Sequence, residues 1–267
     1  MYSHYKLRKF YREGIQPTEY WDRKYEADGL QKDDPEEYRK QLFYPLIIKY
    51  LEQGKKYLDA GCGIASWVAF LRARGFDVVG VDSSKKAIAL AKQVHPDLAL
   101  QTADAKQLPY PDNSFDGYMA IGVWECAEDA TKQVAEEAKR VLKKDGYLFL
   151  EVPYGNPLRR YTYFPMKTIE YLIRAKLLGQ TATFGNHVYR KGDIRVLLEG
   201  MGFEVITIDS HDLPEPSSHY GLWVDWPILR GREPYKLNWF GVAVKNIMNS
   251  LSPWMIATGI FYIAKKK

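Results

Sequence analysis

The feature that most constrains this chain is the run Tyr57-Leu58-Asp59-Ala60-Gly61-Cys62-Gly63-Ile64-Ala65, followed by Val78-Val79-Gly80-Val81-Asp82. It reads as a buried parallel strand, a tight glycine turn, a helix, and a second strand closed by an acid. Glycine at the carboxyl end of such a strand lets a ligand meet bare backbone, and the helix that follows presents unpaired N–H groups. An acid at the tip of the next strand accepts two hydrogen bonds from a ribose diol. Together these features point to an adenosine-containing ligand. A dinucleotide fingerprint requires G-x-G-x-x-G, and Ser66 stands where its last glycine belongs, which places an oxidoreductase behind the other readings.

Strand and helix signals alternate from there. Strands are expected over 56–60, 77–82, 98–103, 115–121 and 147–152, with helices over 65–75, 85–94 and 128–144. A later helix over 193–201 leads into a strand over 203–208, a last strand covers 258–264, and a leading helix is expected over 35–51. Repeated strand–helix units imply a parallel sheet with helices on both faces. Right-handed crossovers and the switch-point rule then put the ligand at the carboxyl ends of the strands, where Gly61, Asp82, Asp104 and Gly122 all fall. The expected organisation is an N-terminal cap and leading helix over 1–54, then one α/β domain over 55–267. Two aromatic, Pro- and Gly-punctuated insertions, 153–190 and 211–253, are the natural acceptor lid.

A length of 267 residues with 46% hydrophobic content suits one sizeable domain with an elaboration. Lys6, Arg8, Lys9 and Arg12 have no apolar run behind them, which argues against a secretory signal. Only Cys62 and Cys126 occur, so neither a disulfide framework nor a zinc site is expected, and a reducing cytoplasm is the expected compartment.

The pattern D-x-G-C-G at 59–63 resembles the first motif of the class I S-adenosylmethionine-dependent methyltransferases, with Ala65 where that family usually has a further glycine. The run from Asp104-Ala105 through Leu108-Pro109-Tyr110 to Ser114-Phe115-Asp116 is similar to the D-A-x-x-L-P-F-x-D-x-S-F-D segment of its quinone and small-molecule branch. The resemblance implies a Rossmann-like, doubly wound seven-stranded sheet whose last strand runs antiparallel. It further implies S-adenosyl-L-methionine held by Asp59, Gly61, Cys62, Gly63, Asp82, Ser83, Asp104, Ala105 and Ile121. Asp82 would take the ribose and Asp104 the adenine amino group, with the Ala105 N–H meeting a ring nitrogen. Asp59 either caps the turn or, as in the family, holds the glycine loop and reaches the methionine amino group. Val123-Trp124-Glu125-Cys126 aligns with a segment usually read L-E-H, so Glu125 matches the acid while Cys126 replaces the histidine. Gly146 fits a helix-ending left-handed position.

The function expected is methyl transfer by in-line displacement to a small-molecule or lipid-like acceptor. Glu125 and His187 are the candidate catalytic groups, and Trp124 the substrate-bordering residue. A methyltransferase-like binding protein without turnover is the first rival. A nucleic-acid methyltransferase, suggested by the basic residues after Arg230, ranks lower because no target-base motif or added RNA-binding domain is visible. The segment 236–267 mixes tryptophan, lysine and apolar residues and could contact a membrane from one side; burial against the domain's own sheet and lid is the preferred reading of it.

Overall fold

The computed structural model describes residues 5–10, 17–28, 44–127, 130–179, 182–212, 220–233 and 235–267. Most of the leading-helix expectation, 35–43, lies outside them; within them only Tyr44–Ile48 is helical. The apolar runs form the strands expected of them, β2 (Lys56–Ala60), β3 (Asp77–Asp82), β4 (Leu100–Thr102) and β5 (Phe115–Ile121). They are followed by β6 (Leu142–Pro153), β8 (Phe203–His211) and β9 (Gly259–Lys266). A separate ribbon pairs β1 (Tyr5–Phe10) with β7 (Ala182–Val188), antiparallel. In the main sheet the order is β4-β3-β2-β5-β6-β9-β8, with β9 antiparallel to both β6 and β8. Strand order reverses between β2 and β5, which is the switch point where a crevice opens above the carboxyl ends.

Helices α1 (Pro17–Asp28), α2 (Tyr44–Ile48), α3 (Ser66–Arg72), α4 (Lys85–Val94) and α5 (Thr131–Val141) precede β6. Apolar residues spaced three and four apart dock them. Trp67, Val68, Phe70 and Leu71 of α3 are buried with Tyr57, Phe149 and Phe261 in one core layer. Val134, Ala135, Ala138 and Val141 of α5 are buried with Tyr118, Leu148 and Tyr262 in the other. Each fully buried Leu or Phe side chain contributes roughly 1.5–3 kcal/mol, so these layers dominate the fold's stability.

The expected helix over 128–144 ends at Val141, and β6 begins at Leu142 with a register shift opposite Phe115–Gly117. The left-handed residue of that turn is Asp145 (φ 64°), not Gly146. Gly146 is needed for another reason: a Cβ there would lie 2.9 Å from the Lys143 carbonyl oxygen and 3.0 Å from that of Asp116. The segments after β6 and β8 are more ordered than their punctuation suggests. The first contains α6 (Phe164–Leu172) flanked by π-helical turns, then β7. After it comes α7 (Asp193–Gly200); the segment following β8 contains α8 (Tyr220–Asp225) and α9 (Trp239–Leu251). No helix among the described residues is long and apolar enough to cross a membrane.

Candidate functional site

The glycine turn leaves β2 with Gly61 and Gly63 at positive φ (89° and 54°). A Cβ on Gly61 would sit 2.3 Å from Val123 Cγ2, so the β5 loop closes on bare backbone there. Ala65 is also left-handed (φ 64°), the conformation a glycine adopts freely. Its methyl group is fully buried, and it opens α3 with no side-chain cap. Cys62 turns its sulfur toward the sheet over Gly80, and burial raises its thiol well above the usual range.

Asp82 secures this turn. Its Oδ2 accepts from the Gly63 N–H at 2.8 Å and its Oδ1 from the Ser84 N–H at 2.8 Å. The cap of α4 is Ser84, whose Oγ accepts from the Ala87 N–H and donates to Asp22 of α1; Ser83 is exposed. Helix α1 thereby lies over the site, and the Tyr25 hydroxyl comes within 2.5 Å of where a Gly63 Cβ would be. Asp59 is buried beneath the turn. Burial first, then the Asp82 carboxylate, push it to about 7, and no donor among the described residues offsets them.

Asp104 is exposed beyond β4, where Oδ1 accepts from the Lys106 N–H at 2.9 Å and Oδ2 pairs with Lys106 Nζ at 3.2 Å. The loop after it is held from α5. Arg140 donates to the carbonyls of Leu108 and Tyr110 and to Asp112, while Glu137 accepts from the Leu108 N–H. Ala105 and Ile121 are half-buried, each packed against a different core layer.

Past β5 the arrangement departs from expectation. Trp124 is completely buried and packs in the core. Glu125 is buried with Oε2 unpaired, and burial, then Glu151, raise its carboxyl well above the ordinary range. Glu151 is an acid inside the apolar strand β6, and His211 ends β8; Nε2 of His211 lies 3.2 Å from Oε1 of Glu151. Room for that pair exists because Gly259 lacks a side chain: a Cβ there would fall 2.2 Å from His211 Cε1 and 2.8 Å from Glu151 Oε1. Neither Glu151 nor His211 was singled out from sequence, although a glutamate in the run Tyr147–Val152 was a visible signal. Next to them Asp212, pushed up to about 6 mainly by burial, accepts from Thr258 Oγ1 at 2.6 Å. His187 lies on β7, which packs on the Trp124–Cys126 turn, and its buried ring sits 4.8 Å from that of Phe184 and 5.8 Å from that of Tyr189.

Residues 58–150 match the model of a methyltransferase domain family. The chain is 38% identical over 107 residues to a demethylmenaquinone methyltransferase of Bacillus mycoides, covering 37% of this chain and 45% of that one. To the enzyme of the same description from Lysinibacillus sphaericus it is 27% identical over 186 residues, 64% of this chain and 79% of the relative. It thus spans about half the length of the first two curated relatives it matches, 45% and 50%. A solved S-adenosylmethionine-dependent methyltransferase from Methanosarcina mazei superposes with a TM-score of 0.58 at 21% identity, covering 84% of this chain and 97% of that one. A cyclase superposes with a TM-score of 0.54 at 17% identity over 89% of this chain and 86% of its own, so the fold alone does not decide the chemistry. The sequence matches lie on the strands that build the glycine turn, so residues 58–150 resemble the methyltransferase domain family, and the fold is that of S-adenosylmethionine-dependent methyltransferases.

Proposed function

We propose that the protein transfers a methyl group from S-adenosylmethionine to a small, lipid-like acceptor bearing an ionisable hydroxyl or activated ring carbon. The observation that carries the cofactor assignment is Asp59, a buried carboxyl with no donor among the described residues, beside a turn whose Gly61 and Gly63 leave no room for a side chain. Such a group fits the ammonium of an amino acid. The lone pairs that Asp82 does not spend on Gly63 and Ser84 fit a ribose diol, and Asp104, at the rim, fits an adenine amine. When bound, the sulfonium supplies an activated methyl and a neutral leaving group.

The chain's own task is alignment and exclusion of water. Glu125, kept neutral by burial beside Glu151, offers an O–H to an acceptor oxygen. The Glu151–His211 pair at the end of β6 and β8 takes the acceptor's proton, a role better placed there than on His187, which is flanked by aromatic rings. The description shared by the relatives, demethylmenaquinone methyltransferase, supports an acceptor of this apolar, oxygen-bearing type.

The test is incubation with methyl-labelled cofactor and a total lipid extract. A labelled apolar product is expected; tight cofactor binding with no product on any lipid or soluble acceptor would establish the rival binding protein instead.

A further inference from the structure

Fifteen of the eighteen exposed large apolar side chains of the described residues lie in two stretches, 158–178 and 224–251. These stretches follow β6 and β8 directly, so they flank the carboxyl ends where the site lies. They also share a small core: Leu158 packs with Leu222, Leu229, Val244 and Met248, and Arg159 pairs with Asp225 across them.

Helix α9 shows why this is more than ordinary surface. Its inner side is satisfied, with Gly241 against the Leu229 carbonyl and Val244 and Met248 in the shared core. Trp239, Ile247 and Leu251, spaced eight and four apart, nevertheless point outward, and Trp239 is 82% exposed. A surface helix needs one apolar stripe; this one has two, and only one is covered. Burial of 236–267 against the sheet and lid therefore holds for β9, for Ile256 and Ala257 and for the inner side of α9, while the outer side of α9 stays uncovered. In the first stretch Ile169, Ile173 and Leu177 continue the exposed apolar surface, with Leu177 78% exposed.

Charge identifies what fits. The stretch 158–178 has five bases against Glu170, and 224–251 has four against Asp225 and Glu233. Together they carry +6, above the +5 of the whole chain, so the remainder is −1. No acid follows Glu233. A second copy would set one such face against another and meet like-charge repulsion at a two-fold interface. Nucleic acid would match the charge but leave the isoleucines and leucines without a purpose. Exposed Trp and Leu beside Lys and Arg are the composition of a helix lying in the interface of an anionic bilayer.

We propose that these two stretches form one face that docks the protein onto an anionic lipid surface, with the mouth of the site toward the lipid. The inference does not depend on the chemistry proposed above.

Flotation with vesicles of phosphatidylcholine, with and without phosphatidylglycerol, tests it. Binding is expected to the anionic vesicles at low salt, falling several-fold at high salt or on neutral vesicles. The variant Trp239→Ser/Ile247→Asn/Leu251→Ser should bind at least tenfold more weakly, while Val94→Asn, an exposed apolar site on α4, should bind as the parent does. Asp104→Ala should float normally even where it has lost the cofactor, which separates this inference from the catalytic one. Absence of flotation, or equal flotation by the triple variant, overturns the proposal. So does light scattering that finds a stable dimer dissociated by the triple variant. If that variant does not fold, Lys176→Glu/Arg232→Glu reads the same contact, and unchanged binding by it is equally decisive against docking.

Discussion

The two halves of the crevice treat buried acids differently. On the β2–β3 side, Asp82 is satisfied by backbone N–H groups from residues 63 and 84, both delivered by the turns that adjoin it. On the β5–β6–β8 side, Glu125 from the turn after β5 and His211 from the end of β8 both face Glu151 of β6. The first arrangement uses local geometry to build a fixed cradle. The second gathers titratable side chains from distant positions, which suits a group that must exchange a proton with its ligand. Asp59 shares features of both: it sits in the cradle, yet no donor among the described residues holds its charge.

The contrast is tested most severely at His211. Its replacement by Asn should lower turnover on the order of 10²–10⁴-fold, the usual contribution of general base catalysis, with cofactor affinity unchanged. Parent-like turnover measured under saturating cofactor would remove the proton-accepting role from the acceptor side.

Asp59 gives the next largest effect, seen in stability. Its carboxyl keeps its proton up to about pH 7 when folded but only to about 4 when unfolded. The ligand-free protein should therefore be most stable, as far as this group goes, below about pH 4, and lose that contribution as pH rises to about 7. The loss is at most about 4 kcal/mol. Asp59→Asn should flatten that slope and raise the melting temperature at pH 8, while weakening cofactor binding. Chemical denaturation of both proteins across this range is the measurement, and a parallel slope in the variant would assign the pH dependence elsewhere.

A charge-assisted hydrogen bond is worth about 1.5–3 kcal/mol, so Asp82→Ala should weaken cofactor affinity roughly ten-fold to over a hundred-fold. Calorimetry decides it. The sequence alone suggests that folding would be little affected; the two backbone bonds to Asp82 make some loss of stability part of the expectation. Glu125→Gln should act more mildly than Glu125→Ala, because a carboxyl already held neutral is mimicked by an amide. Equal losses in steady-state turnover would mean that the anion is the working form.

The smallest effect is expected at Ala65→Gly. Relief of the left-handed strain, about 1–2 kcal/mol, is offset by the lost burial of a methyl group and the greater chain entropy of glycine. A change within about 1 kcal/mol in thermal unfolding fits; a larger loss would show that the methyl's packing outweighs the strain.

The sequence by itself determined the alternating parallel architecture, the glycine turn and the acids at the tips of β2, β3 and β4, because each is written in a few neighbouring residues. Strand periodicity, a G-x-G turn and an acid at a strand end are local signals. Even the loop at 108–112 was legible as a motif, although its anchor, Arg140 on α5, is brought to it only by the fold. Only the tertiary structure decided the Glu125–Glu151–His211 grouping, since residues separated by 26 and 60 positions become neighbours solely through strand order and the space left by Gly259. The same holds for Trp124, whose place in the core or at the crevice depends on which way one turn rotates it. It holds too for α9, where the sequence shows apolar residues but only packing shows which of its two faces remains uncovered.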